Sequence, residues 1–226
     1  MTVLLELKEV SMQFATEANP EYNVFAGINL SVSAGERVAI VGRNGSGKST
    51  LLRIMARIFA PTSGHVEWAR GTSVSLLSLG LGFSPELSGR DNAFLSCLLL
   101  GLSRREARQS LESIEDFCEI GAFFEEPVHT YSAGMRARLG FATALLNRSQ
   151  VILIDEILSV GDKAFREKAR EALEQELSDD RAVVLVSHAE DQVRRLCQRA
   201  ILLEQGAKVA EGSCAEVFAR YAQGPL

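Results

Sequence analysis

The nine residues Gly42-Arg43-Asn44-Gly45-Ser46-Gly47-Lys48-Ser49-Thr50 contain a full eight-residue match to GxxxxGK[ST], from Gly42 to Ser49, directly after the apolar run 38–41 and directly before a helix-period segment. The chemistry open to such a loop is anion binding. Glycines let the main chain wrap a phosphate with its N–H groups turned inward, closer than side chains would permit. Lys48 then reaches the β and γ phosphates, Ser49 offers a hydroxyl to Mg2+, and the helix that follows aims its positive end at the same anion. A second acidic site lies at 151–156 (VILIDE), an apolar run that ends in Asp155 and Glu156. Neighbouring side chains at a strand end point differently, so Asp155 can take a Mg2+ position while Glu156 polarises an attacking water. His188 follows a third apolar run, 182–186, and is expected at the same sheet edge as a γ-phosphate contact.

These groups converge only if the runs that carry them are neighbouring strands. Runs 38–41, 151–154 and 182–186 are continuously apolar, as in strands buried on both faces, and they alternate with helix-period segments, which predicts an α/β fold with a parallel sheet. The helix after the loop is expected to turn Leu51, Leu52, Met55 and Ile58 to the core. A mostly helical block, 84–140, fills the long interval between the first two runs. Within it Ser103 and Glu106 form a capping box, and Ala107, Leu111, Ile114 and Cys118 fall on one face. A further amphipathic helix carries Phe165, Ala169, Leu173 and Leu177. At the N-terminus Leu5, Leu7 and Val10, then Ile28, Leu30 and Val32, pattern as half-buried antiparallel strands around a polar loop. Residues 201–204, the Gln205-Gly206 turn and 207–210 read as a hairpin, and Ser213 with Glu216 caps a last short helix.

Composition narrows the function class. The 226 residues carry 24 Lys plus Arg against 29 Asp plus Glu, a net charge of −5, with 46% apolar residues. That balance lacks the basic face expected of a nucleic-acid binder, so no nucleic-acid partner is expected. The longest apolar stretch, 93–102, is about half of the roughly 20 residues a spanning helix needs, and the N-terminus has no signal-peptide pattern. Cys97, Cys118, Cys197 and Cys214 form no CxxC pair, which suits buried reduced thiols in a cytoplasmic protein.

The discriminating stretch is Tyr131-Ser132-Ala133-Gly134-Met135, which opens a helix 23 residues ahead of Asp155, counted from Ser132. Ser132 is a good N-cap, and the helix start it defines is a second anion site. One nucleotide needs two such sites only when the second faces a partner. Here the sequence resembles the ATP-binding subunits of ABC transporters over nearly the whole chain. Residues 131–135 resemble the family's LSGGQ signature, Ser159-Val160-Gly161-Asp162 its D-loop, and His188 its switch histidine. The resemblance implies a P-loop NTPase ABC nucleotide-binding domain: a RecA-like core with an N-terminal antiparallel β subdomain (1–83 and 141–226) and an inserted helical subdomain (84–140). It implies a head-to-tail homodimer in which ATP lies between one phosphate loop and the partner's signature helix. Gly42, Asn44, Gly45, Ser46, Gly47, Lys48, Ser49, Thr50, Ser132, Gly134 and Asp162 would then contact nucleotide. Phe14 would stack on adenine, with Tyr22 or Phe25 as competitors.

Within the family, the pieces LGLGFSPELSGRDN, TYSAGMRARLGFA and DEILSVGDKAFREK resemble the branch that exports capsular polysaccharide, O-antigen or teichoic acid. Leu79 or Gly80 stands where the Q-loop glutamine is expected, Ala133 and Met135 replace a signature glycine and the glutamine, and Ile157 replaces a proline. The resemblance implies an ATPase on the inner face of the cell membrane, paired with an integral membrane permease. An ATPase serving a drug or lipid exporter, or a soluble ABC ATPase outside transport, are the alternatives.

Overall fold

The computed structural model describes residues 2–15, 21–77, 82–155, 162–176 and 181–224. The chain forms two compact units, one of Met1–Leu76, Ser149–Glu156 and Leu177–Leu226, the other of Leu77–Arg148 and Ile157–Glu176.

In the first unit, β1 (Val3–Phe14) is flanked by antiparallel β2 (Tyr22–Ser33) and β4 (Ser63–Trp68). The expected inward set of Leu5, Leu7, Val10, Ile28, Leu30 and Val32 is buried. The odd step from Leu7 to Val10 is a register shift, with Glu9 at φ 49 between them. Strand β4 has no clear signal in sequence because it carries little buried apolar surface and adds to the outer side of β1. A six-stranded sheet follows the order β5 (Val74–Leu77), β6 (Val151–Asp155), β7 (Ala182–Val186), β3 (Arg37–Val41), β8 (Arg199–Glu204), β9 (Ala207–Ser213). Strands β6, β7, β3 and β8 run parallel, and β8 with β9 is the expected hairpin, turning through Gln205 and Gly206 at φ 47 and 78.

Val38, Ile40, Val151, Leu153, Val184, Val186 and Ile201 share one core with the antiparallel strands and with α1 (Lys48–Met55). Each such side chain is worth about 1.5–3 kcal/mol over its exposed state, which is why these strands are apolar without alternation. The expected core placement of Ile58 is corrected: α1 ends at Met55, Arg57 takes φ 63, and Ile58 is 56% exposed. Two shorter helices, α6 (Glu190–Leu196) and α7 (Cys214–Ala222), complete the unit, and α7 begins at the Ser213–Glu216 capping box.

The second unit packs α2 (Gly89–Leu99), α3 (Arg104–Cys118) and α4 (Ala133–Ala144) around Ala93, Cys97, Ile114, Cys118, Phe124, Tyr131 and Leu139. The Ser103–Glu106 capping box is present, with Ala107, Ile114 and Cys118 buried and Leu111 partly so. The unit reaches beyond the expected span of 84–140, because α5 (Lys163–Glu176) joins it. Phe165 of α5 sets its edge against Phe117 and Phe141, at ring distances of 5.9 and 6.2 Å. All four cysteines are buried and unpaired as disulfides, and no metal-holding cluster of His, Cys, Asp and Glu occurs among the described residues. No described helix is long and apolar enough to cross a membrane.

Candidate functional site

The phosphate loop leaves β3 at Val41, whose register partner is Leu202 of β8. At Gly42 the chain passes so close to β8 that a Cβ would stand 2.2 Å from the Leu203 carbonyl oxygen and 2.7 Å from Ser46 Oγ. Backbone therefore presses on backbone here, and the loop folds tightly over the strand end. Lys48, 6% exposed, donates from Nζ to the carbonyl oxygens of Gly42 and Arg43, both at 2.8 Å. The ammonium thus sits inside the curve of the loop. Gly47, at φ 96, precedes α1 without any side-chain cap. No side chain closes off the start of α1, so the positive end of the helix is open to an anion.

One side of the loop opens on a cleft of about 360 Å³ lined by Phe14, Tyr22, Val24, Asn44, Gly45, Gly47, Lys48, Ser49, Thr50, Asp155 and Val186. Parallel register explains the gathering: Asp155 pairs with Val186, and Val186 with Ile40, so three strand ends stop at one edge. Ser49 and Asp155 supply hard oxygen donors to one cavity, a set that suits Mg2+ with retained waters. The buried Lys48, the uncapped start of α1 and the glycine turn suit a polyphosphate. The residues present therefore fit both groups.

Ser46 turns away from that cleft. It lines a second cavity with Arg43, Asn44, Gly45, Glu204 and Gln205, and its buried Oγ finds no hydrogen-bond partner among the described residues. His188 lies exposed two residues past Val186 and is not among the groups lining the cleft. The turn that carries it is held by Ser187 Oγ, which donates to Gln192 Oε1 at 2.8 Å and accepts the Ala189 amide at 3.1 Å. Glu156, Leu79, Gly80, Ile157 and 159–161 lie outside the described residues.

Among the aromatic candidates, Phe14 and Tyr22 pair across the β1–β2 ladder and both line the cleft. Phe14 sets its edge against Phe59 at 5.8 Å, and Arg53 of α1 covers the Phe59 ring at 5.9 Å. Phe25 is corrected as a stacking candidate. It is 1% exposed, and its ring lies where a Cβ on Gly47 would come, 2.7 Å from Cδ1. It acts as a wedge beneath the phosphate loop, a role with no local signal in the sequence. Val24, also on the cleft wall, carries no functional signal in the sequence.

Ser132, Gly134 and Asp162 belong to the second unit. Ser132 caps α4 by accepting the Met135 amide at 3.1 Å, and its side chain is exposed. A Cβ at Gly134 would meet only Ser132 Oγ, at 3.8 Å, so packing within the unit leaves room at the helix start. Tyr131, the first signature residue, is core: it donates its hydroxyl to the Phe123 carbonyl, and burial pushes its pKa up to about 12. Asp162 accepts the Phe165 amide at 2.9 Å and pairs with Arg138.

Known proteins are similar to this chain over most of its length. The O-antigen export system ATP-binding protein RfbB of Klebsiella pneumoniae is 39% identical over 90% of this chain and 82% of its own length. Its counterpart in Myxococcus xanthus is 42% identical over 86% of this chain but only 44% of its own length. The teichoic acids export ATP-binding protein TagH of Shouchella clausii is 33% identical over 96% of this chain and 59% of its own. Among solved structures, a dimeric post-hydrolysis state of an ATP-binding cassette bound to ADP and Pi superposes with a TM-score of 0.79 at 25% identity, covering 93% of this chain and 99% of that one. The sequence model described as ABC transporter matches residues 25–159, a span that contains the phosphate loop, Ser132 and Asp155 together, and the chain belongs to the ABC transporter family.

Proposed function

We propose that this chain is the ATP-binding and hydrolysing subunit of an exporter that drives polysaccharide or polysaccharide-lipid across the cytoplasmic membrane. The observation that carries the ATPase reading is the single cleft lined by Lys48, Ser49 and Asp155. The exported class follows from relatives whose names specify O-antigen and teichoic acid export. The whole chain would act as one ABC ATP-binding domain, peripheral on the inner face of the membrane and bound to an integral membrane permease.

In this reading the loop amides and Lys48 bind the β and γ phosphates of ATP, while Ser49 and Asp155 hold Mg2+. The ion, when bound, neutralises charge on the phosphate oxygens. Phe14 or Tyr22 takes the adenine. Glu156 polarises the attacking water and His188 reaches the γ-phosphate. Ser132, Gly134 and Asp162 serve the nucleotide of the second subunit, so two copies close on two ATP molecules and part after hydrolysis.

A positioned base contributes about 10²- to 10⁴-fold in rate. Glu156→Gln is therefore expected to keep ATP binding and to lose nearly all turnover in the membrane-reconstituted complex, whereas wild-type turnover in that variant refutes the assignment. Copurification from membranes tests the partner: recovery of a permease with a bound glycolipid supports polysaccharide export, and recovery with a drug or simple-lipid exporter refutes it.

A further inference from the structure

Arg138 lies on α4, almost two turns past the Ser132 cap, with its side chain 18% exposed. Its Nη2 donates to Asp162 Oδ2 and its Nη1 to Glu119 Oε2 at 3.3 Å, while the guanidinium lies 4.6 Å from the Phe165 ring centroid. Asp162 Oδ1 accepts the Phe165 amide, so one carboxylate caps the start of α5 and grips α4. Glu119, at φ 51 just past the end of α3, also receives Lys168 Nζ at 2.6 Å. Lys168 in turn donates to the Phe117 carbonyl at 3.0 Å, with its Nζ 4.6 Å from the Phe117 ring centroid. The Phe165 amide and the Arg138 guanidinium hold the Asp162 carboxyl below its ordinary pKa. A planar guanidinium can meet two carboxylates through its fixed fork while its face lies on a ring.

Three helices therefore meet on one side chain, and two of the joined pieces are the ones the sequence assigns to nucleotide. We propose that Arg138 is a positioning residue that fastens the start of α5, at Asp162, to the signature helix α4. Ser132 and Asp162 then approach the second subunit's nucleotide as one rigid piece. This rests on the dimeric ATPase reading above. Each oxygen of Asp162 has a partner within its own unit, so the pair with Arg138 fixes where the carboxylate is presented.

The test uses Arg138→Met, Asp162→Asn and the double variant in the full chain with its membrane subunit. Asn keeps an N-cap oxygen for α5, and Met keeps an apolar stem over Phe165, so both variants are built to fold. Each single change should lower kcat roughly tenfold, and the double should be no worse than the poorer single, as residues in one network are non-additive. KM for ATP should stay within about twofold in Arg138→Met, since neither the phosphate loop nor an assigned nucleotide contact is changed. Exchange of the Phe165 amide hydrogen should quicken in Arg138→Met. Multiplying single effects, an unchanged kcat, or a loss confined to thermal stability with wild-type kcat per folded molecule overturns the proposal. If the wild-type chain neither hydrolyses ATP nor pairs, the functional reading fails by itself. The latch is then judged on Phe165 exchange alone, and unchanged exchange in Arg138→Met refutes it.

Discussion

Gly47→Ala separates two costs that the phosphate loop imposes on any side chain. The first is backbone strain at φ 96, about 1–2 kcal/mol for an L-residue held in the left-handed region. The second is steric, because the new methyl would stand 2.7 Å from Phe25 Cδ1 and 3.0 Å from Val24 Cγ1. Phe25 is 1% exposed and has nowhere to retreat, so overpacking adds about 1–3 kcal/mol. Gly45 supplies the control. Its φ is 82, yet no atom lies within 4 Å of its prospective Cβ, so Gly45→Ala carries the backbone cost alone. The difference between the two variants, about 1–3 kcal/mol, is the steric part. Nucleotide affinity by calorimetry and thermal unfolding by circular dichroism should both rank Gly47→Ala well below Gly45→Ala. Adding Phe25→Leu to Gly47→Ala should restore part of the loss by clearing the ring, while leaving the backbone cost in place. Equal behaviour of the two glycine variants, or no rescue by Phe25→Leu, would refute the wedge.

Two further outcomes follow from buried and capped groups. The capping-box contacts with Ser103, aided by Arg148, hold Glu106 down to about pKa 2. Its ionised form therefore supports α3 fully above the unfolded value near 4.5, and that support is lost as pH falls through about 2. Acid unfolding of Glu106→Gln should accordingly be shallower across pH 4.5 to 2 than that of the wild type, measured by circular dichroism. All four thiols are buried, and burial pushes Cys118 up to about 11 and Cys197 up to about 12. An aromatic disulfide reagent at pH 8 should label no cysteine in the native protein and four after denaturation, and rapid native labelling of any of them would contradict the burial.

Much of this was readable in the residues because the information is local. A phosphate loop is eight contiguous residues whose glycines and lysine act on the backbone beside them. A capping box spans four residues, and Ser103, Ser132 and Ser213 all cap the helices they are expected to open. Continuous apolar runs mark strands covered on both faces, and β3, β6 and β7 are those runs. The failures are as informative. Ile58 fits a helical stripe on paper, but α1 stops after two turns and the stripe stops with it. Helix α5 joins the helical unit because Phe165 finds Phe117 and Phe141, partners 48 and 24 residues away in the chain.

The sequence alone settled the chemistry on offer: a phosphate loop, an acidic strand end and a helix cap in signature position are defined by neighbours within a few residues, where backbone geometry is dictated locally. Folding in three dimensions decided which side chains serve that chemistry from a distance. Phe25 looked like a candidate base-stacking ring and became the wedge under Gly47, because β2 runs beneath the loop. Asp162, which the resemblance assigns to nucleotide, is held in place by Arg138, 24 residues earlier, because α4 and the start of α5 pack side by side. Contacts of that kind depend on which surfaces meet when the core closes, and no spacing along the chain encodes them.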